Sequence, residues 1–362
     1  MKTSSTLRFT ALAVATSFVV SACGGGGGGD SGSSAPAVPP AAPASSGIPP
    51  QTSVPAATYG TGSYQAAAFS MVNDYRAAMG VGKLRQDPVL DTSSQAHALY
   101  LFSNLESGAI TALDHNELAG NANYFADTPL ARAQKAGAPT NEWVGEIAAA
   151  GHVGDTPAAA AADCIGQALA SVYHLVDLTS NQESIGLGFT NKDATYPIYT
   201  CVSDFGVSTG VTGAPGPNTL PYNGGQQIPS GVVLHSPYMN ETGVALAMKP
   251  EIPNPAPDLP TPGRPILVRE NAQNADTLTV SQYTLADSTG ASIPTRILVP
   301  ASARPGSTAA TVADPNGLLA NGTAILLPLT PLRANTTYTV SFSGARDGNA
   351  VSSTWQFTTA AQ

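Results

Sequence analysis

From residue 207 to residue 263 the chain is made largely of Gly, Pro, Asn and Ser, and between Pro253 and Pro265 a proline stands at almost every second or third position. Proline fixes φ and lacks a backbone N–H, so neither a long helix nor a central strand runs through such a belt. It reads as an extended connector, within which Val232-Val233-Leu234 is able to add an edge strand. Whatever folds must therefore fold on either side of it, and the two sides have different hydrophobic periods.

Before the belt the period is helical. Ala68, Phe69, Val72, Tyr75 and Met79 recur at spacings of three and four, which predicts a helix over 64–79, stopped by Gly80 and Gly82. A second helix is expected over 88–104, with Leu90, His97 and Leu101 on one face. A short one follows Thr128-Pro129, and a long one starts at Thr156-Pro157 with Ile165, Leu169, Val172 and Val176 as its core stripe. Strands are expected over 185–190 and 196–204, joined by the turn 191–194. Helices followed by strands predict an α+β or layered α/β/α domain. After the belt the period is two. Strand signals fall at 266–269, 278–285, 295–299, 324–329, 338–344 and 355–359, and Thr337 to Phe342 alternate strictly between polar and apolar. Six short strands with Gly, Asn, Pro and Asp turns predict an all-β sandwich.

Residues 1–57 contain no core-forming pattern. Lys2 and Arg8 precede a twelve-residue, mostly apolar stretch, Phe9 to Val20, too short to span a bilayer, which needs ~20. The stretch ends in Val20-Ser21-Ala22-Cys23 and resembles the lipobox of bacterial lipoproteins. That resemblance implies a signal peptide over 1–22, lipidation of Cys23, and sorting to the outer membrane where the cell has one, because Gly24 rather than Asp follows the cysteine. Residues 23–57 read as a Gly/Ser/Ala/Pro tether with a coil reach on the order of 30 Å. The membrane is then met through the lipid anchor alone, on the periplasmic or cell-surface side. Outside the cytoplasm the remaining cysteines, Cys164 and Cys201, are expected to pair, with a stabilisation of roughly 2–4 kcal/mol. Only 11% of residues are charged and the net charge is −9, which argues against nucleic acid as a partner. A monomer is expected.

Chemistry-bearing motifs are few. There is no H-E-x-x-H, C-x-x-C or Walker loop. Gly206-Val207-Ser208-Thr209-Gly210 matches G-x-S-x-G, but the residues after it, Val211 to Pro217, cannot form the helix that a nucleophile elbow needs. Of five histidines, His97 lies with Leu90 and Leu101 and reads as a satisfied core residue. His174 falls about 200° from Val172 on a helical wheel, among Gln167, Ala170 and Ser171, so it faces solvent or a cavity.

A larger pattern runs through the first part: Asn73-x-x-Arg76, Gly80, Leu84, Asp87, Leu90, Ala96-His97-Ala98, Asp114-His115-Asn116-Glu117, Thr128-Pro129-x-x-Arg132-Ala133-x-x-Ala136-Gly137, Gly145-Glu146, Ser171-Val172-Tyr173-His174 and Ile185-Gly186-Leu187-Gly188. It resembles the bacterial, SCP-like extracellular branch of the CAP superfamily. The resemblance implies an α/β/α sandwich over 58–206 with His and Glu side chains on the floor of an open groove. His115, Glu146 and His174 take those positions, and Glu117 and Glu183 are candidates for a further acid. The sequence departs from the family in having Ile147 where Asn follows the Glu, and in lacking the Trp common before S-x-x-H. Some family members bind a divalent metal there, so His115, His174 and Glu146 are a ligand set to test for Zn²⁺ or a similar ion. Residues 264–362 resemble bacterial Ig-like modules through Leu332-x-x-Asn335-Thr336-Thr337-Tyr338-Thr339-Val340, Asp347-Gly348 and Trp355-x-Phe357-Thr358-Thr359. With neither His nor Cys, that part is expected to be a spacer or adhesion module. The resulting expectation is an envelope lipoprotein whose groove binds a lipid, a cell-wall fragment or a protein. The alternative is a metal-assisted hydrolase of envelope polymers or peptides. No residue is assigned a catalytic role.

Overall fold

The computed structural model describes residues 46–152, 156–191, 197–273 and 276–362. The signal sequence, Cys23, the tether up to residue 45 and residues 192–194 of the expected turn lie outside them. The rest of the tether, 46–57, is part of the fold: Ile48 bridges Gln226, and the Gln51 N–H donates to Gln226 Oε1 at 2.6 Å.

Helix α1 (Tyr64–Met79) starts at an N-cap, Ser63, whose side chain accepts from Ala66, and ends at Gly80 with φ 92°. The motif residues behind it serve the turn that follows. Asn73 bonds both backbone groups of Leu84, and the buried Arg76 guanidinium reaches the carbonyls of Val81, Gly82 and Leu178. Strand β1 (Arg85–Gln86) leads to α2 (Pro88–Ser107), capped by Asp87, and α3 (Pro129–Ala136) is capped by Thr128. Strand β2 (Trp143–His152) then precedes α4 (Pro157–Leu169), α5 (Tyr173–Leu178), β3 (Ser184–Asn191) and β4 (Ile198–Val207). The expected long helix therefore breaks at 170–172 into two. The Ser171 hydroxyl donates to the Gln167 carbonyl, and the Glu251 carboxylate takes the N–H groups of Val172 and Tyr173.

These strands form one sheet in the order β1-β3-β4-β2, with β2 at an open edge. Ile147 of β2 packs with α1 and α4, while Ala148 packs with Ala98 and Leu101 of α2, so helices cover both faces. Gly186 and Gly188 let α2 lie close on β3, since a Cβ at either position would meet the backbone of Leu90 or Ser94. The disulfide between Cys164 and Cys201 ties α4 to β4.

The connector is not a free link. Its strands β5 (Leu234–Ser236) and β6 (Glu241–Val244) join the second part, which holds β7 (Ile266–Arg269), β8 (Leu278–Asp287), β9 (Thr295–Val299), β10 (Thr311–Ala313), β11 (Thr323–Pro328), β12 (Thr337–Arg346) and β13 (Asn349–Thr359). The two sheets run β10-β9-β11-β7-β5 and β6-β13-β12-β8. They enclose a core of Ile266, Val268, Val280, Leu285, Leu326, Val340, Trp355 and Phe357. Asp347 and Gly348, both at positive φ, make the two-residue β12–β13 turn.

The first of these sheets is buried on both faces. Leu267, Leu298, Ile325 and Leu327 point away from the sandwich core and pack on Tyr75 and Met79 of α1 and Leu175 and Val176 of α5. The continuous apolar run Ala324-Ile325-Leu326-Leu327 is the sequence trace of that double burial, whereas β12 alternates because one of its faces is open. Ala44–Gln362 is accordingly one compact unit. The second part is docked on the first through this shared core.

Candidate functional site

Glu146 is the centre of the site. It sits on β2 with its side chain fully buried, and three basic side chains surround it. His115 Nδ1 is 2.8 Å from Oε1, Arg132 of α3 donates to Oε2 at 2.5 Å, and His97 Nε2 lies 3.6 Å from Oε1. Burial alone would raise its pKa, but His97, Arg132 and His115 together hold it far below the usual carboxylate range. Glu117 closes the network from the α2–α3 loop: it meets His97 Nδ1 at 3.0 Å and accepts from the Phe125 N–H at 2.5 Å. His97 is fully buried and satisfied, with its second ring nitrogen 3.0 Å from the Asp114 carbonyl, as the sequence reading expects, though its partners belong to the polar cluster. Asp204, opposite Glu146 on β4, is held well above the usual range by burial first and by the Glu146 charge next.

Of this network only His115 reaches the surface, with a third of its side chain (34%) exposed. Burial disfavours its charged form, but the bond and charge of Glu146 outweigh that and raise its pKa. His174 comes from α5 and is 20% exposed. Burial first, and the neighbouring His115 charge second, lower its pKa to about 4, so it is neutral at ordinary pH. The helix break moves it off the continuous wheel on which sequence placed it, yet it does face a cavity.

That cavity is a groove in two arms sharing His115, His174, Glu251 and Ile252. One arm, of about 450 Å³, is largely apolar and runs past Leu113, Ile147, Ala148, Ala168 and Pro250. The other, of about 420 Å³, is more polar, with Asp177, Ser180, Asn218, Thr219 and Tyr222. Its outer wall comes from the second part through Gly317, Leu318 and Ala320. At the mouth Ile252 is 80% and Leu318 52% exposed.

Glu146 lies beside His115 as expected, but the further acid beside His174 is neither Glu117 nor Glu183. Glu183 lies elsewhere, its Oε2 accepting from the Ser208 and Thr209 N–H groups, which also leaves the G-x-S-x-G serine with a structural role. Glu117 is sealed behind His97. The carboxylate next to His174 is Glu251, 3.7 Å from its Nδ1, and burial raises Glu251 to about 7. Asp177, below His115, is raised by burial to about 6. Glu251 stands alone between Pro250 and Pro253 with Ile252, in a belt without periodicity, so no local signal could have found it. Asp177 follows His174 by three residues, and the helical i, i+3 relation was the available clue.

The expected metal set does not form. Among the described residues no three His, Cys, Asp or Glu side chains are placed to hold a metal ion. Both Glu146 oxygens are already engaged, by His115 and Arg132, and His174 is beside Glu251 instead of Glu146. His115, Glu146 and His174 therefore do not fit a divalent cation as a ligand triad, and no chemistry is drawn through one.

A scan against protein-family models finds no match for this chain, and a search of curated proteins finds no significant relative. Fold and site define a mixed α/β protein: a helix-covered sheet docked on a two-sheet β structure, with a histidine-floored groove where the two meet.

Proposed function

We propose that this chain is an envelope-anchored lipoprotein, held by Cys23, whose first domain is of the CAP type and binds a ligand in the groove over His115 and His174. The second domain, read as Ig-like, forms part of the groove wall. The observation that carries the proposal is the pairing of a rigid buried network with one imidazole, a third exposed, at the floor of an open, partly apolar groove. Glu146, Glu117, His97 and Arg132 fix one another and leave only His115 and His174 to meet a ligand. The order helix, sheet, helix over the first part and the Asp347-Gly348 hairpin in the second support the family readings. The ligand classes are a lipid, a cell-wall fragment or a protein segment.

The test is double substitution, His115→Ala with His174→Ala, in the full chain. Binding of palmitate, muramyl dipeptide or short peptides, followed by calorimetry, is expected to weaken at least tenfold while the melting temperature moves by only a few degrees. Unchanged binding of every probe would sink the groove reading. Separately, Cys23→Ala is expected to move the protein from the membrane fraction to the soluble one; persistence in membranes would refute the anchor.

A further inference from the structure

The floor of the apolar arm is the outer edge of β2. In the β2–β4 ladder Gly145, Ile147 and Ala149 bond inward to β4, because the even-numbered residues of β4 serve β3, as the Glu183 N–H to Gly206 carbonyl bond shows. Val144, Glu146, Ala148 and Ala150 consequently turn their N–H and C=O groups outward. At both ends of this row other parts of the chain already meet these groups. The Thr219 N–H donates to the Val144 carbonyl at 2.9 Å, Asn218 Oδ1 accepts from the Glu146 N–H at 2.9 Å, and Gln167 Nε2 donates to the Ala150 carbonyl at 3.2 Å. Between them, among the described residues, the Glu146 carbonyl, both backbone groups of Ala148 and the Ala150 N–H have no partner. That interval is the part of the edge lining the apolar arm, with Leu113 and His115 on one side and Gln167, Ala168 and His174 on the other.

We infer that the groove takes an extended peptide segment, which adds to β2 as a fifth strand across Ala148. The occupant is a polypeptide because the unsatisfied groups alternate donor and acceptor at strand spacing, and because the adjacent 218–219 segment already meets the same edge, through the Thr219 backbone N–H and the Asn218 side chain. An acyl chain offers nothing to these groups, and their burial without partners is unfavourable. Successive side chains of an added strand point to opposite faces. One set meets Ala112 and Leu113 and the other Ala168 and Ile252, so both sets are uncharged and of small to moderate size. Backbone bonds then give affinity and the two walls give selectivity, the mode of recognition used where peptides join an exposed sheet edge.

This inference rests on the groove-binding reading and names its ligand class. The experiment uses the full chain, ¹⁵N-labelled, titrated with acetyl-(Val-Xaa)₃-amide peptides with Xaa as Ala, Ser, Lys or Glu, and with palmitate. The Ala and Ser peptides are expected to shift the Ala148 and Ala150 amide signals and to slow exchange of the Ala148 N–H at least tenfold. N-methylation at residues whose N–H faces β2 is expected to weaken binding more than tenfold. N-methylation at the alternate residues is expected to change it less than twofold. Ala148→Pro removes an outward N–H and leaves the bonds to β4 intact, and is expected to reproduce the loss in a folded protein. Equal sensitivity at all N-methyl positions, or binding of palmitate with no peptide, overturns the strand-addition inference and leaves the groove reading standing. No response of groove signals to any probe overturns both.

Discussion

Glu146 carries more of this molecule than any other side chain. It is buried with Arg132 and His97 against it, and a buried ion that loses its partner is far costlier than the pair is favourable. Glu146→Ala would leave Arg132 and His97 with only Glu117 and the buried Asp204 near them, and a loss of about 3–5 kcal/mol is expected, read as a lowered urea midpoint. His174 makes the pH-dependent counterpart. Its pKa is about 4 in the folded protein against about 6.5 unfolded, so between those values the unfolded chain holds the extra proton. Its contribution is therefore complete above pH 6.5 and is lost as the pH falls toward 4. Wild type is expected to lose about 1–2 kcal/mol more than His174→Asn between pH 7 and pH 5, measured by urea unfolding at each pH. Equal losses would refute the assignment. His115 is expected to titrate in the opposite direction, above 6.5, in ¹⁵N spectra of the imidazole rings.

At the scale of elements, close approach matters more than propensity. Helix α2 lies on β3 at Gly186 and Gly188, and a methyl at Gly188 would meet the Ser94 backbone, which no side-chain rotation can relieve. Gly188→Ala is expected to cost about 1–3 kcal/mol, seen as a lower melting temperature, while Gly108→Ser, where a Cβ meets nothing, is limited to the smaller strain of its positive φ. Most elements were legible in the sequence because their signals are local. Helix α1 falls on the expected 64–79, strands β7 and β9 on 266–269 and 295–299, and the caps Thr128 and Thr156 on their helix starts. Strand β2 was missed because Gly145 and Ala148 to Gly151 carry no period of two, and it is held as a strand by pairing along all ten residues with β4. The α4–α5 break was missed because its cause, Glu251, comes from some 80 residues downstream.

For the whole molecule the decisive contact is the shared core, where Leu267, Leu298 and Ile325 of the second part meet Tyr75, Met79 and Val176 of the first. The two tryptophans fall one on each side, Trp143 at β2 and Trp355 in the sandwich core. Single-tryptophan variants, Trp143→Phe and Trp355→Phe, are each expected to unfold in one transition, and Ile325→Ala is expected to lower what both report by about 2–5 kcal/mol. Two separate midpoints, with only the sandwich affected by Ile325→Ala, would mean that the parts fold independently. The sequence by itself determined most element types and the helix caps, because these rest on residue identity and near-neighbour spacing; the disulfide pair followed from the two cysteines left after Cys23, and the two groove histidines from the family resemblance. The tertiary structure alone decided that the connector supplies an acid, that the second part walls the groove, and that His174 and Glu146 are not placed as a shared ligand set. Those outcomes depend on which surfaces are buried against each other and which charges end up together, and neither is encoded in any single window of the chain.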